Sequence, residues 1–218
     1  MARQDNTIAD GIFDRIVSDI LSGRIRPNVE LTEHDLVTRF GASRTPVREA
    51  IKRLRERGFL TVGRKGVGIV RGMSRKEVEE LYALRLRLER VAALLTARNI
   101  TAGEIADLKR INQEFAKAAA ARDLVPMLDV RAQFHAVLVT ATRNRWLADL
   151  LIMLRDYAYP VRHLHWQDPD RAARTIGLHD DMIRCLEKHD TKGFRQLVVR
   201  QIGDALEVFR SRALSLPT

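Results

Sequence analysis

Ser43, Arg44, Thr45 and Arg48 stand close together just after Gly41, and the cations Lys52, Arg53, Arg55 and Arg57 follow them. An arginine fork bonds the guanine edge bidentately, while hydroxyls and the backbone N–H groups of a helix start hold phosphate. These residue types at this spacing point to DNA. Arg64 and Lys65, set between Gly63 and Gly66, add a second cationic point suited to phosphate or the minor groove. A basic helix by itself is more often a solvated face. What favours DNA is the combination of a tight turn, a Thr-Pro helix start and a following hairpin.

Those side chains need particular elements to present them. Thr32 predicts the cap of one helix, with the Asp35 carboxylate in its first turn, where the positive end of the helix dipole favours an anion. Gly41 ends that helix, because the next position often needs a left-handed backbone. Thr45 is the expected cap of the second helix, with Pro46 at its first position, where a missing N–H costs nothing. Val47, Ile51 and Leu54 then share one apolar face, and Gly58 closes the helix. Phe59–Val62 and Val67–Val70, around Gly63–Gly66, predict a β-hairpin. The sum is a winged helix-turn-helix whose second helix enters the major groove. Ile8, Ile12, Phe13, Ile16, Ile20 and Leu21 recur at helix spacing and predict a first helix behind the reading pair, ending at Gly23.

Ile12–Met73 resembles the winged helix-turn-helix of the GntR family. The residues that carry the likeness are Pro27-Asn28, Leu31-Thr32-Glu33 and the run Ser43–Leu54, which reads SRTPVREAIKRL. Asn28 stands where the family has Gly, and Asn also tolerates the left-handed conformation. The resemblance implies DNA contact by His34, Ser43, Arg44, Thr45, Arg48, Arg64, Lys65 and Gly66.

Composition agrees. The chain has 218 residues, 45% of them hydrophobic, and a net charge of +10, enough for one mid-sized domain or two small ones. Arg39–Arg71 holds ten Lys or Arg against Glu49 and Glu56, so most of the excess lies on the proposed DNA site, as an electrostatic footprint should. One cysteine, Cys185, rules out an internal disulfide and fits a reducing cytoplasm; its apolar neighbours place it in a core. The N-terminal residues have acids and no long apolar run, unlike a signal peptide, and no segment is apolar enough to span a bilayer.

A boundary is expected at Gly72-Met73-Ser74, giving a DNA-binding domain over 1–73 and an all-helical domain over 74–218. Ser74 with Glu77 and Thr101 with Glu104 read as capping boxes. Helices are expected at roughly 75–98, 102–121, 124–142, 144–166, 169–188 and 191–213, with Asp123, Asp168 and Asp190 as further caps and a kink at Pro160. The fold class is therefore mainly α: three helices and a β-hairpin wing joined to a six-helix bundle. Trp146 and Trp166 are expected in cores or at a helix interface. His163 and His165 lie on different faces of one helix, and His189 at a helix end.

This bundle resembles the FCD effector domain of FadR-type GntR regulators, in its shorter VanR-like form. The carriers are Leu84-Arg85-Leu86-Arg87-Leu88-Glu89, Gln133-Phe134-His135 followed by Asn144, and His179 with Asp190. The resemblance implies a divalent metal held by an Asp and a His one turn apart plus two more His. His135 and His179 match two of those positions, but Arg131 replaces the Asp and Gln201 the last His. Asp129, six residues before His135, lies about 120° around the helix and cannot substitute. No bound metal or other cofactor is expected.

Arg131 offers instead a planar fork for carboxylate, and His135, His179, Gln201, Arg85 and Arg162 complete an expected pocket for a small organic acid. The alternative is a structural ion pair from Arg131 to Asp129, Asp181 or Glu89. The function expected is a homodimeric transcriptional regulator, a repressor by the resemblance, that binds a pseudo-palindromic operator in double-stranded DNA under effector control. A metal-dependent FCD regulator and a ligand-independent architectural DNA-binding protein stay open beside it. No nucleophile constellation or phosphate loop supports an enzyme, and no membrane partner is expected.

Overall fold

The computed structural model describes residues 7–21, 23–121, 124–158 and 170–213. Contacts divide the chain into two compact units, Met1–Met73 and Ser74–Thr218.

The first unit runs α1 (Ile8–Leu21), β1 (Glu30–Leu31), α2 (Glu33–Phe40), α3 (Arg44–Glu56), β2 (Leu60–Val62), a 3-10 turn at Arg64–Gly66, and β3 (Gly68–Val70). Ile12, Ile16 and Ile20 of α1 and Val47, Ala50, Ile51 and Leu54 of α3 are all buried, and the two helices pack on each other. Phe13 meets Phe59 edge to face, ring centroids 6.4 Å apart, the arrangement aromatic quadrupoles favour. The fully buried Asp19 carboxylate of α1 accepts hydrogen bonds from Arg24 and from Arg39 at the end of α2, which fixes α2 against α1.

The helix-turn-helix forms as its caps dictate, with one correction. The Asp35 N–H donates to Thr32 Oγ1 at 3.1 Å, and Gly41 takes the left-handed conformation (φ 60°). Helix α3, however, starts at Arg44 with Ser43 as its N-cap. Thr45 is therefore already helical, and Pro46 sits at the third position. Proline is tolerated there for the reason given at the first, since the first four N–H groups of a helix lack intrahelical acceptors.

The hairpin is part of a three-stranded antiparallel sheet in the order β1-β3-β2. Its register pairs Thr61 with Ile69 and Glu30 with Ile69. β1 was not foreseen, because two residues carry no periodic signal. Asn28 supplies the turn that brings it back, with a φ of 66°. Its N–H donates to the Val70 carbonyl at 2.8 Å.

The second unit is all helical among its described residues: α4 (Arg75–Asn99), α5 (Ala102–Ala120), α6 (Leu124–Thr140), α7 (Arg145–Tyr157), α8 (Arg171–Glu187) and α9 (Thr191–Ala213). Both capping boxes form. Asn144 caps α7 by accepting from the Leu147 N–H, and Asp190 accepts from the Gly193 N–H at 2.8 Å. Asp123, Pro160 and Asp168 lie outside the described residues, as do His163, His165 and Trp166. α4 packs on α9 and α7, and α5 on α6 and α8. Ala92, Val139, Leu147, Ala148 and Leu151 form one core cluster.

Two expectations for single residues change. Trp146 is not in a core but 82% exposed: it is the second residue of α7, one residue before the buried stripe that starts at Leu147 and so about 100° around the helix from it. Cys185 is half-buried, with Sγ 3.9 Å from Asp190 Oδ2.

Asp19→Ala removes the acceptor of two guanidinium groups and is expected to destabilise the protein by about 1–3 kcal/mol. Urea denaturation monitored within the first unit checks this, and a change under about 0.5 kcal/mol, the ordinary range for surface substitutions, would contradict it.

Candidate nucleic-acid interface and effector pocket

Burial of Val47, Ala50, Ile51 and Leu54 turns the opposite face of α3 outward. Ser43, Arg44, Thr45 and Arg48 are exposed along its leading turns, and His34 is exposed on α2. Ser43 makes no side-chain capping bond, so its hydroxyl and the first-turn N–H groups are available to an external anion at the positive end of the helix. Arg64 and Gly66 are exposed at the tip of the wing; the side chain of Lys65 lies outside the described residues. Gly66 holds the turn with a φ of 79°, a conformation glycine adopts without strain.

Two further residues shape this surface. Arg55 of α3 donates from Nη2 to the Gly66 carbonyl, which ties the wing tip to the reading helix. Glu33, the first residue of α2, accepts from Arg48 Nε at 2.9 Å through both carboxylate oxygens. A groove of about 400 Å3 lies between these elements, lined by Glu33, Arg48, Lys52, Arg55 and Gly66 among others. Neither contact is legible from spacing, because each joins separate elements, 15 and 11 residues apart.

In the second unit, His135 of α6 and His179 of α8 come together, ring centroids 5.8 Å apart and nearly perpendicular. Phe134 stacks on His179 at 3.8 Å. His179 Nδ1 lies 3.0 Å from Asn112 Oδ1, and the Asn112 amide donates to Asp180 Oδ1 at 2.8 Å. Both ring nitrogens of His135, Nε2 of His179 and Oγ1 of Thr175 are buried with no hydrogen-bond partner. Such atoms are rare in native proteins because each forfeits its hydration.

The field around them is positive. Burial holds the His135 pKa well below its ordinary value, and Arg131, Arg155, His179 and Arg85 push it the same way. His179 is lowered to about 3 by burial, then by Arg131 and Arg171. Both imidazoles are neutral at physiological pH.

Arg85 bonds Glu89 at 3.3 Å and lies over the Tyr82 ring. Arg155, which the sequence did not single out, meets the same carboxylate at 3.0 and 2.8 Å. Burial raises the Glu89 pKa, but the charges of Arg155 and then Arg85 outweigh it and the net shift is downward. Glu89 is thus engaged by these two arginines, and Asp181 by Arg184. Gln201 is buried and shares with His135, Glu89 and Arg155 the lining of a cavity of about 20 Å3, room for about one water molecule. Arg162 lies outside the described residues.

A winged helix-turn-helix with a cationic outer face, followed by an all-helical unit, defines the class of DNA-binding transcriptional regulators. Residues 8–70 match the bacterial regulatory proteins of the gntR family, and residues 80–204 match the FCD domain. The chain belongs to the GntR family, with an FCD domain after its DNA-binding unit. It is similar to the uncharacterised HTH-type transcriptional regulator YdhC of Bacillus subtilis, 26% identical over 89% of this chain and 88% of that protein. It is also similar to the Nta operon transcriptional regulator of Aminobacter aminovorans, 31% identical over 68% and 69%. Among solved structures, Escherichia coli McbR/YncC shares the fold with a TM-score of 0.77 at 20% identity, over 95% of this chain and 99% of that one. The chain is a DNA-binding transcriptional regulator and not an enzyme, and among the described residues no helix is long and apolar enough to cross a membrane.

Glu89→Leu leaves two buried guanidinium groups without their carboxylate and is expected to cost about 3–5 kcal/mol. Because the folded-state pKa of Glu89 lies below the ordinary 4.5, its contribution is complete above that value and is lost as pH falls through the folded pKa. Thermal midpoints measured from neutral pH down to pH 3 should converge for wild type and variant. A constant gap would contradict the ion-pair origin.

Proposed function

We infer that this regulator is a homodimer that reads a pseudo-palindromic operator through the leading edge of α3 and the wing, and that a small organic acid bound in the second unit sets its DNA affinity. Arg44, Thr45 and Arg48 face base edges; Ser43, His34, Arg64, Lys65 and Gly66 hold the backbone or the minor groove. Repression lifted by the effector is the reading the family resemblance favours.

The observation that carries the effector reading is the set of buried, unpartnered atoms on His135, His179 and Thr175 within the field of Arg131. Neutral His135 has one N–H and Thr175 a hydroxyl to donate to carboxylate oxygens, and a guanidinium supplies the compensating charge, while Nε2 of neutral His179, whose Nδ1–H faces Asn112 Oδ1, is left as an acceptor for a hydroxyl of the acid. The same residues do not fit a divalent ion. Two neutral nitrogens with an arginine in place of the carboxylate and the Gln201 amide in place of an imidazole leave the metal's charge unopposed. Among the described residues no group of three His, Cys, Asp or Glu side chains is placed to hold one. On this reading the arginine supplies the positive charge that a metal would otherwise bring.

A second copy of the chain is the natural cover for the exposed apolar residues of α4 and α7. Leu84 and Val91, seven apart and so on one face of α4, are 45% and 51% exposed, and Trp146, Ile152 and Met153 are exposed on α7, which packs on α4. Exposed apolar side chains on neighbouring helices favour an interface there.

Calorimetry against a panel of mono-, di- and tricarboxylates tests the effector reading. At least one acid should bind, and Arg131→Ala should weaken it by about tenfold or more, the scale of a lost charge-assisted bond. If no acid binds, or binding ignores Arg131, the organic-acid reading is wrong.

A further inference from the structure

The Glu33–Arg48 pair makes little sense as a stabilising device. Its side chains are 63% and 43% exposed for Arg48 and Glu33, and exposed ion pairs contribute roughly 0–1 kcal/mol. On a surface meant for a polyanion, a carboxylate also has a cost. Glu33 sits in the groove lined by Arg48, Lys52 and Arg55, where a phosphate would otherwise find only cations.

The geometry gives it another use. Both Glu33 oxygens accept from Nε of Arg48, at 2.9 Å each, while Nη1 and Nη2 have no acceptor among the described residues. Bidentate recognition of guanine needs two coplanar donors aimed together at N7 and O6. With Nε anchored by a carboxylate, the guanidinium plane is fixed and its Nη pair is left free. An arginine held this way loses less rotamer freedom on binding.

We propose that Glu33 is a positioning and specificity-determining residue for the DNA contact. It orients the Arg48 fork toward a base edge, and its charge repels phosphate whenever the fork has no matching base. Sequences lacking the right guanine then keep the repulsion without the compensating bond, so discrimination rises at some expense in overall affinity. This rests on the reading that Arg48 contacts bases.

The test uses the full chain and two duplexes: one enriched by the wild-type protein from a random pool, and one scrambled version of it. Their affinity ratio is measured for wild type, Glu33→Ala, Arg48→Ala and the double variant, with base preferences determined for each. Both side chains are exposed, and unchanged thermal midpoints verify folding. Arg48→Ala should lower the ratio and flatten preference at one base pair. Glu33→Ala should lower the ratio by about fivefold or more, flatten the same base pair and tighten binding to scrambled DNA. In the Arg48→Ala background it should leave the ratio within about twofold. A ratio unmoved by Glu33→Ala, or moved equally without Arg48, overturns the positioning role while leaving base reading by Arg48 intact. A ratio unmoved by Arg48→Ala overturns both.

Discussion

A guanidinium leaves water only at the side of an acceptor, and this cation-rich chain, with 38 Lys and Arg against 28 Asp and Glu, is organised by where those acceptors fall. Asp19, fully buried, receives Arg24 and Arg39 and fixes α1 to α2. Glu89, nearly as buried, receives Arg85 and Arg155 and joins α4 to α7. Glu33 stands at the surface and takes only Nε of Arg48. The first two carboxylates satisfy their arginines inside the fold, and the third leaves its arginine donors to spare. Arg44 and Arg64, exposed at the start of α3 and on the wing, complete the cationic face.

The same constraint separates the two units chemically. In the first, excess positive charge is outward, where counterions released from DNA reward each contact. In the second, positive charge is gathered around neutral buried imidazoles, with Glu89 opposing Arg85 and Arg155. A small acid entering near His135 and His179 would meet protein polar atoms already desolvated, so the desolvation left to binding would be the acid's own. Control follows only to the extent that the acid favours one of two conformations of the regulator.

Most of the scaffold was legible in the residues. Capping pairs at Thr32, Ser74 and Thr101, glycine at Gly41 and the apolar stripes of α1 and α3 are local signals, and local signals survive without a structure. The start of α3 was misplaced by two residues, since Ser43 and Thr45 are both competent caps and Pro46 is tolerated anywhere in the first turn. β1 escaped because a two-residue strand has no period. The site was legible only in part. Exposed residues of α3 follow from its buried face, whereas Glu33, Arg55, Asn112 and Arg155 act through partners on other elements. Their roles exist only once the chain is folded.

Reading of base edges by the leading edge of α3 is the claim on which the regulator interpretation stands. The most direct measurement compares Arg44→Ala with wild type on an operator duplex and on random duplex over a range of salt concentrations. Base reading predicts a loss of about 1–3 kcal/mol on the operator, with random binding nearly unchanged. Equal weakening on both duplexes, with the salt slope reduced by about one, would make Arg44 a phosphate contact and contradict the claim.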